Sequence, residues 1–120
     1  MTPEEIRAAV VGYAEDRKAS DVVALDLRGM IGYTDFFVIC TGRSARQTKA
    51  IHDAIYHGMK TEHDLLPRRV EGLPGGGWIL MDYLDVVVHV FTPETRQYYR
   101  LEQLWGEAPT SRSVVGARSG

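Results

Sequence analysis

The chain has 120 residues, of which 44% are hydrophobic and 25% charged, and its formal net charge is −2. That is the composition of one folded domain with one modest core, and it excludes a disordered chain. It also disfavours a protein held nonspecifically to DNA or RNA by total charge, because neutralising phosphates needs a clustered positive face.

Thr2, Pro3 and Glu5 predict a helix start. Thr2 caps, Pro3 suits the first helical position, and Glu5 closes a capping box. Ile6, Ala9, Val10, Tyr13 and Ala14 follow at helical spacing, so the first helix is expected over about residues 3–18. Residues 21–28 predict a strand with Val23, Leu25 and Leu27 on one face, and Gly29 and Gly32 open a loop. Residues 36–41 form a continuous apolar run, the pattern of a central strand buried on both faces. Ser44 and Gln47 repeat the capping signature, and Ile51, Ala54, Ile55 and Met59 make a stripe on a helix over about 45–63. Pro67 stops that pattern, 68–71 is a short strand candidate, and 73–77 is a loop. Residues 78–83 and 85–91 read as two strands joined by a tight turn. Pro93 starts a short helix carrying Tyr98, Leu101, Leu104 and Trp105. From Gly106 onward no periodicity remains, which predicts a mobile tail.

The expected architecture is α/β (α+β): a mixed five-stranded sheet with about three helices. A crossover through residues 42–67 would make the second and third strands parallel. The domain is expected over 1–109 and a flexible tail over 110–120.

The last hairpin is the most informative segment. Pairing Asp82 with Asp85 sets Leu80 against Val87 and Trp78 against His89. Ile79, Met81, Val86, Val88 and Val90 then form a wholly apolar core face. The opposite face carries Trp78, Leu80, Asp82, Asp85, Val87, His89 and Phe91. A solvated sheet face is normally more polar than this. Either the C-terminal helix with Tyr98, Tyr99 and Trp105 folds over it, or it is a protein-binding surface; partial cover satisfies both.

No catalytic set emerges. His52, His57 and His63 share one helix at spacings of five and six, which puts them on different faces. His89 reads as a structural histidine beside Trp78. Cys40, the single cysteine, sits in the most apolar strand and reads as core, which excludes an intrachain disulfide. Gly42, Arg43 and Ser44 open a helix where an anion can bind, but the full phosphate-binding loop is absent and capping explains Ser44. Asp82 and Asp85 flank a turn, where aspartate is common for local hydrogen bonding. No cofactor or metal is expected. No apolar run approaches the ~18–20 residues of a membrane span, and the acidic N-terminus lacks a signal-peptide core, so a cytoplasmic protein is expected.

The stretches 19–28 (Ala-Ser-Asp-Val-Val-Ala-Leu-Asp-Leu-Arg), 34–42 (Thr-Asp-Phe-Phe-Val-Ile-Cys-Thr-Gly) with Ser44 and Gln47, Glu71-Gly72, and 77–91 resemble the ribosomal silencing factor (RsfS, Iojap) family. Arg96, Tyr98, Tyr99, Leu101, Glu102, Leu104, Trp105, Ala108 and Pro109 extend the match. The resemblance implies a nucleotidyltransferase-like fold without transferase activity. It implies binding to the large ribosomal subunit through ribosomal protein L-fourteen, steric blocking of subunit joining when nutrients are scarce, and a homodimer in the free state. Leu84 departs from the family, which usually has glycine there, so a wider or different turn is expected. The expected partner-binding set is Trp78, Leu80, Asp82, Tyr83, Asp85, His89, Tyr98, Tyr99 and Trp105, with Asp82 and Asp85 solvent-accessible and available to basic side chains. The alternatives are a nucleotidyltransferase-like enzyme or a dimerising adaptor with another protein partner.

Overall fold

The structure is a computed structural model and describes residues 1–72 and 75–112. Two helices, α1 (Pro3–Asp16) and α2 (Ala45–His63), lie on one face of a sheet. The strands are β1 (Ser20–Asp26), β2 (Phe36–Thr41), β3 (Arg69–Gly72), β4 (Trp78–Asp82), β5 (Val86–Phe91) and β6 (Thr110–Arg112), in the order β3-β4-β5-β2-β1-β6. Two short helical segments, α3 (Pro93–Tyr99) and α4 (Leu101–Leu104), follow β5.

Local chemistry accounts for the helix starts. Thr2 and Glu5 form the reciprocal capping box on α1. Ser44 Oγ accepts from the Gln47 N–H at 3.3 Å, and Gln47 Oε1 accepts from the Arg43 N–H at 2.6 Å. Gln47 Nε2 donates to the carbonyls of Arg17 and Lys18, at 3.0 and 3.3 Å, so the start of α2 is tied to the end of α1. The helix-opening groups therefore serve caps and a tertiary contact. Asp64 ends α2 in the left-handed conformation.

The sheet has six strands and not five. Thr110–Arg112 pair antiparallel with β1 through Val23↔Arg112, Ala24↔Ser111 and Leu25↔Thr110, in the stretch expected to be a mobile tail. Three exposed residues carry no periodicity to read; what makes them a strand is the open edge of β1. Residues 113–120 of that tail, and Leu73 and Pro74 of the glycine-rich loop, lie outside the described residues. A second correction concerns the crossover. β2 runs parallel to β5 as its direct neighbour, from Phe36↔Val86 to Thr41↔Phe91. β3 points the same way as β2 but is carried to the sheet edge, because it pairs with β4 instead. Only the buried hydrophobic strands take the centre, and β3 is exposed throughout.

The sheet is buried on both sides. Ile6, Val10 and Ala14 of α1 and Ile51, Ile55 and Met59 of α2 pack on Val22, Ala24, Phe36, Val38, Cys40, Met81, Val86, Val88 and Val90. Burial pushes the Cys40 thiol up to about 12, so it is an inert core group. The other face carries a smaller core of Val23, Leu25, Leu27, Phe37, Ile39, Val87 and Phe91. Alternation along β1 and β5 divides their side chains between the two cores.

Candidate protein-binding surface

The last hairpin keeps the expected division of faces but not the expected register. Asp82 pairs with Val87, Leu80 with His89 and Trp78 with Phe91, a shift of two residues along β5. A shift of two preserves every side chain's face, since the strand period is two. The turn explains it. Leu84 adopts φ +75° despite its side chain, the Asp85 N–H donates to the Tyr83 carbonyl at 2.9 Å, and the Tyr83 N–H donates to the Val86 carbonyl at 2.9 Å. The turn thus consumes Asp85, and β5 begins one residue later.

Asp82 is not an accessible recognition residue. It is only 3% exposed. Its Oδ2 accepts from Arg68 Nε at 3.0 Å and lies 3.3 Å from Arg69 Nε, while Oδ1 accepts from the Leu84 N–H at 2.8 Å. It fastens the turn to β3. Asp85 is half-buried, and its carbonyl accepts from the N–H groups of Asp35 and Phe36. Tyr83 is buried in the core beneath the helices, on the wrong side for the surface, and burial raises its pKa. Turn position made these residues look solvated; the neighbouring Arg68 and Arg69 and the start of β2 close over them.

The remaining candidates do converge. Trp78 Nε1–H donates to His89 Nδ1 at 3.1 Å. Because indole nitrogen only donates, His89 Nδ1 must be the unprotonated nitrogen. Burial pushes the His89 pKa down to about 4, so the ring is neutral at physiological pH. Its centroid lies 4.6 Å from that of Phe37. Trp78 stacks at a tilt on Tyr99 and Phe91, at 4.7 and 5.0 Å. Trp105 meets Phe37 edge-on at 6.4 Å, and Leu80, Leu101 and Ile31 fill in around them. The covering reading holds in part: α4 and Trp105 cover the centre of this face, and large apolar side chains stay open at its border. Tyr98 is 79% exposed and Leu104 70%. A cleft of about 210 Å³, lined by Glu71, Gly72, Trp78 and Leu80, opens at the β3 side.

Sequence reading missed two features. One is Arg96, expected only as part of a family match. It is buried, with its Nε and Nη2 on the two oxygens of Glu102 at 3.0 and 2.9 Å. Its Nη1 donates to the Asp21 carbonyl at 2.7 Å and to Thr41 Oγ1 at 2.8 Å. This hub ties α3, α4, β1 and β2 together and so sets where the aromatic border stands. The other is the break at Arg100, φ +49°, which splits the expected single helix in two. No spacing signals it. Among the described residues no group of three or more His, Cys, Asp or Glu side chains gathers to hold a metal.

The chain matches the family model described as ribosomal silencing factor during starvation over residues 1–119. The chain belongs to the ribosomal silencing factor (RsfS) family. The ribosomal silencing factor RsfS of Halalkalibacterium halodurans is 42% identical over 110 residues, covering 92% of this chain and 93% of the relative. The X-ray crystal structure of a protein from Chromobacterium violaceum superposes with a TM-score of 0.84 at 36% identity, covering 88% of each chain. A mouse protein named mitochondrial assembly of ribosomal large subunit protein 1 is 31% identical over 101 residues, covering 80% of this chain and 43% of its own. The family's description is that of a regulatory protein. No helix among the described residues is long and apolar enough to cross a membrane.

Proposed function

We propose that this chain is a noncatalytic repressor of translation that docks on the large ribosomal subunit through ribosomal protein L-fourteen. It carries a nucleotidyltransferase-like fold without transferase activity. The docked protein occupies the face that meets the small subunit, blocks joining sterically, and lowers translation when nutrients are scarce. It acts in the cytoplasm and is a homodimer when free.

Family membership along nearly the whole chain supports this reading, and the name of the mouse relative points to the same subunit. The single observation that carries the site is the border of the second sheet face. There Tyr98, Tyr99 and Leu104 stay exposed beside half-buried Trp78, Leu80 and Trp105. Aromatic anchors around a closed apolar patch are what a protein interface requires. His89 is buried and supports this surface from beneath through Trp78 and Phe37, while Asp82 holds the turn and Tyr83 lies in the core on the opposite face.

Co-sedimentation with purified ribosomal subunits tests the proposal. The protein should pellet with large subunits and not with small ones, and should reduce the yield of joined ribosomes when the two are mixed. Pelleting with small subunits alone, or binding with no effect on joining, overturns it.

A further inference from the structure

A cleft of about 620 Å³ lies at the end of the sheet where the parallel pair β2 and β5 finishes. Thr41 closes β2 there, Pro93 follows β5, and a further wall comes from α3 and α4. In open α/β sheets small ligands seat outside the carboxyl ends of parallel strands, and this volume is that of a small-molecule site. Two strained residues shape it. β1 slips register between Ser20 and Val23, with Asp21 at φ +48°, and Arg100 sits at φ +49° between α3 and α4. Both line the cleft, and strain of this kind gathers where a chain holds a ligand.

The charges inside the cleft do not balance. Glu102 is held by Arg96 at 2.9 and 3.0 Å, and Asp21 by Arg112 at 2.7 Å. Each carboxylate of the lining therefore has its own cation, and Arg100 is left over. Its Nε donates to the Gln97 carbonyl at 3.0 Å, and its guanidinium makes no ion pair among the described residues. Arg43, two residues beyond Thr41, is exposed and equally unpaired among the described residues. Gln97 and Gln103 add two exposed amide side chains to the lining. A carboxylate ligand uses one guanidinium fork; a phosphate chain uses both cations, and its oxygens match the fork. With both lining carboxylates occupied by arginines, the donor set suits a site that binds its ligand without turning it over.

We propose that this cleft binds a small phosphate-bearing molecule, with its phosphate chain on Arg100 and Arg43. The site shares no residue with the aromatic border and does not rest on the docking proposed above.

Isothermal titration calorimetry of the whole chain with inorganic pyrophosphate, ADP and citrate tests it. Pyrophosphate should bind, and more tightly than citrate, an anion of similar charge built from carboxylates. Arg100→Gln should weaken pyrophosphate binding at least about tenfold. Lys60→Gln removes an exposed cation near the far end of α2 and should leave it unchanged. If Arg100→Gln fails to fold by circular dichroism, Gln97→Glu replaces it and must weaken binding as much, because it sets a like charge in the cleft. ADP binding more tightly than pyrophosphate assigns the site to a nucleotide; ADP binding equally or more weakly assigns it to the free phosphate chain, and either result supports the proposal. No binding of pyrophosphate at millimolar concentration, citrate binding as tightly, or a loss no greater in the cleft variant than in Lys60→Gln overturns it.

Discussion

His89 is neutral in the fold and accepts the Trp78 N–H on the nitrogen that a proton would take. Its pKa falls from 6.5 to about 4 on burial, so below pH 6.5 the unfolded chain binds a proton that the folded chain refuses. The contribution is whole above pH 6.5 and is lost as pH falls toward 4. At ~1.4 kcal/mol per unit the loss reaches about 3 kcal/mol. Urea unfolding at pH 7 and pH 4.5 should show this slope, and His89→Phe should lack that part of it. A second expectation belongs to Asp82, which has both arginines and a backbone N–H on one buried carboxylate. Asp82→Ala should cost about 2–3 kcal/mol in urea unfolding, less than a fully buried pair because Arg68 and Arg69 are more than half exposed. Asp82→Arg is expected to disrupt the turn, so it cannot serve as a probe of binding.

Between elements, the tightest approach is α1 on α2. A Cβ added at Gly58 would fall within contact distance of the Tyr13 ring, whose hydroxyl donates to Glu62. Gly58→Ala gains ~1 kcal/mol of helix propensity but overpacks this crossing, which costs ~1–3 kcal/mol. A net loss of up to about 2 kcal/mol is expected, and Tyr13→Leu should relieve it non-additively in a double-mutant cycle. At the far edge, β6 is held by its pairing with β1 and by the exposed Arg112–Asp21 ion pair, which contributes little. Truncation after Pro109 should cost only ~1 kcal/mol but speed hydrogen exchange of the outward amides in β1.

For the whole molecule, the contrast between its two cores matters most. One is roofed by two long helices; the other is covered by the segment from α3 through β6, anchored by Arg96 and its partners. Side chains that stay exposed on that segment are free to change without unfolding the chain. Tyr98→Ala with Leu104→Ala should therefore shift stability by no more than ~0.5 kcal/mol. Loss of two anchors should weaken large-subunit binding by about 2 kcal/mol, read by co-sedimentation. Normal binding by the double variant would place the interface elsewhere on the molecule.

Local chemistry alone determined the two long helices and the strand faces. The capping box at Thr2, the cap at Ser44, the apolar run of β2 and the alternation of β4 and β5 each report on contacts within a few residues or on a simple period. The Trp78–His89 pair and the partial cover over the second face were legible for the same reason, since a face survives a shift of two residues. Tertiary structure decided what depends on partners distant in the chain. Nothing near Thr110 announces a strand until β1 offers its edge. Nothing near Asp82 announces burial until Arg68 and Arg69 arrive at the start of β3. Arg96 finds Asp21, Thr41 and Glu102 only once three separate segments meet. Strand neighbours, likewise, follow from which hydrophobic strands win the centre of the sheet, a competition among all of them that no single segment encodes.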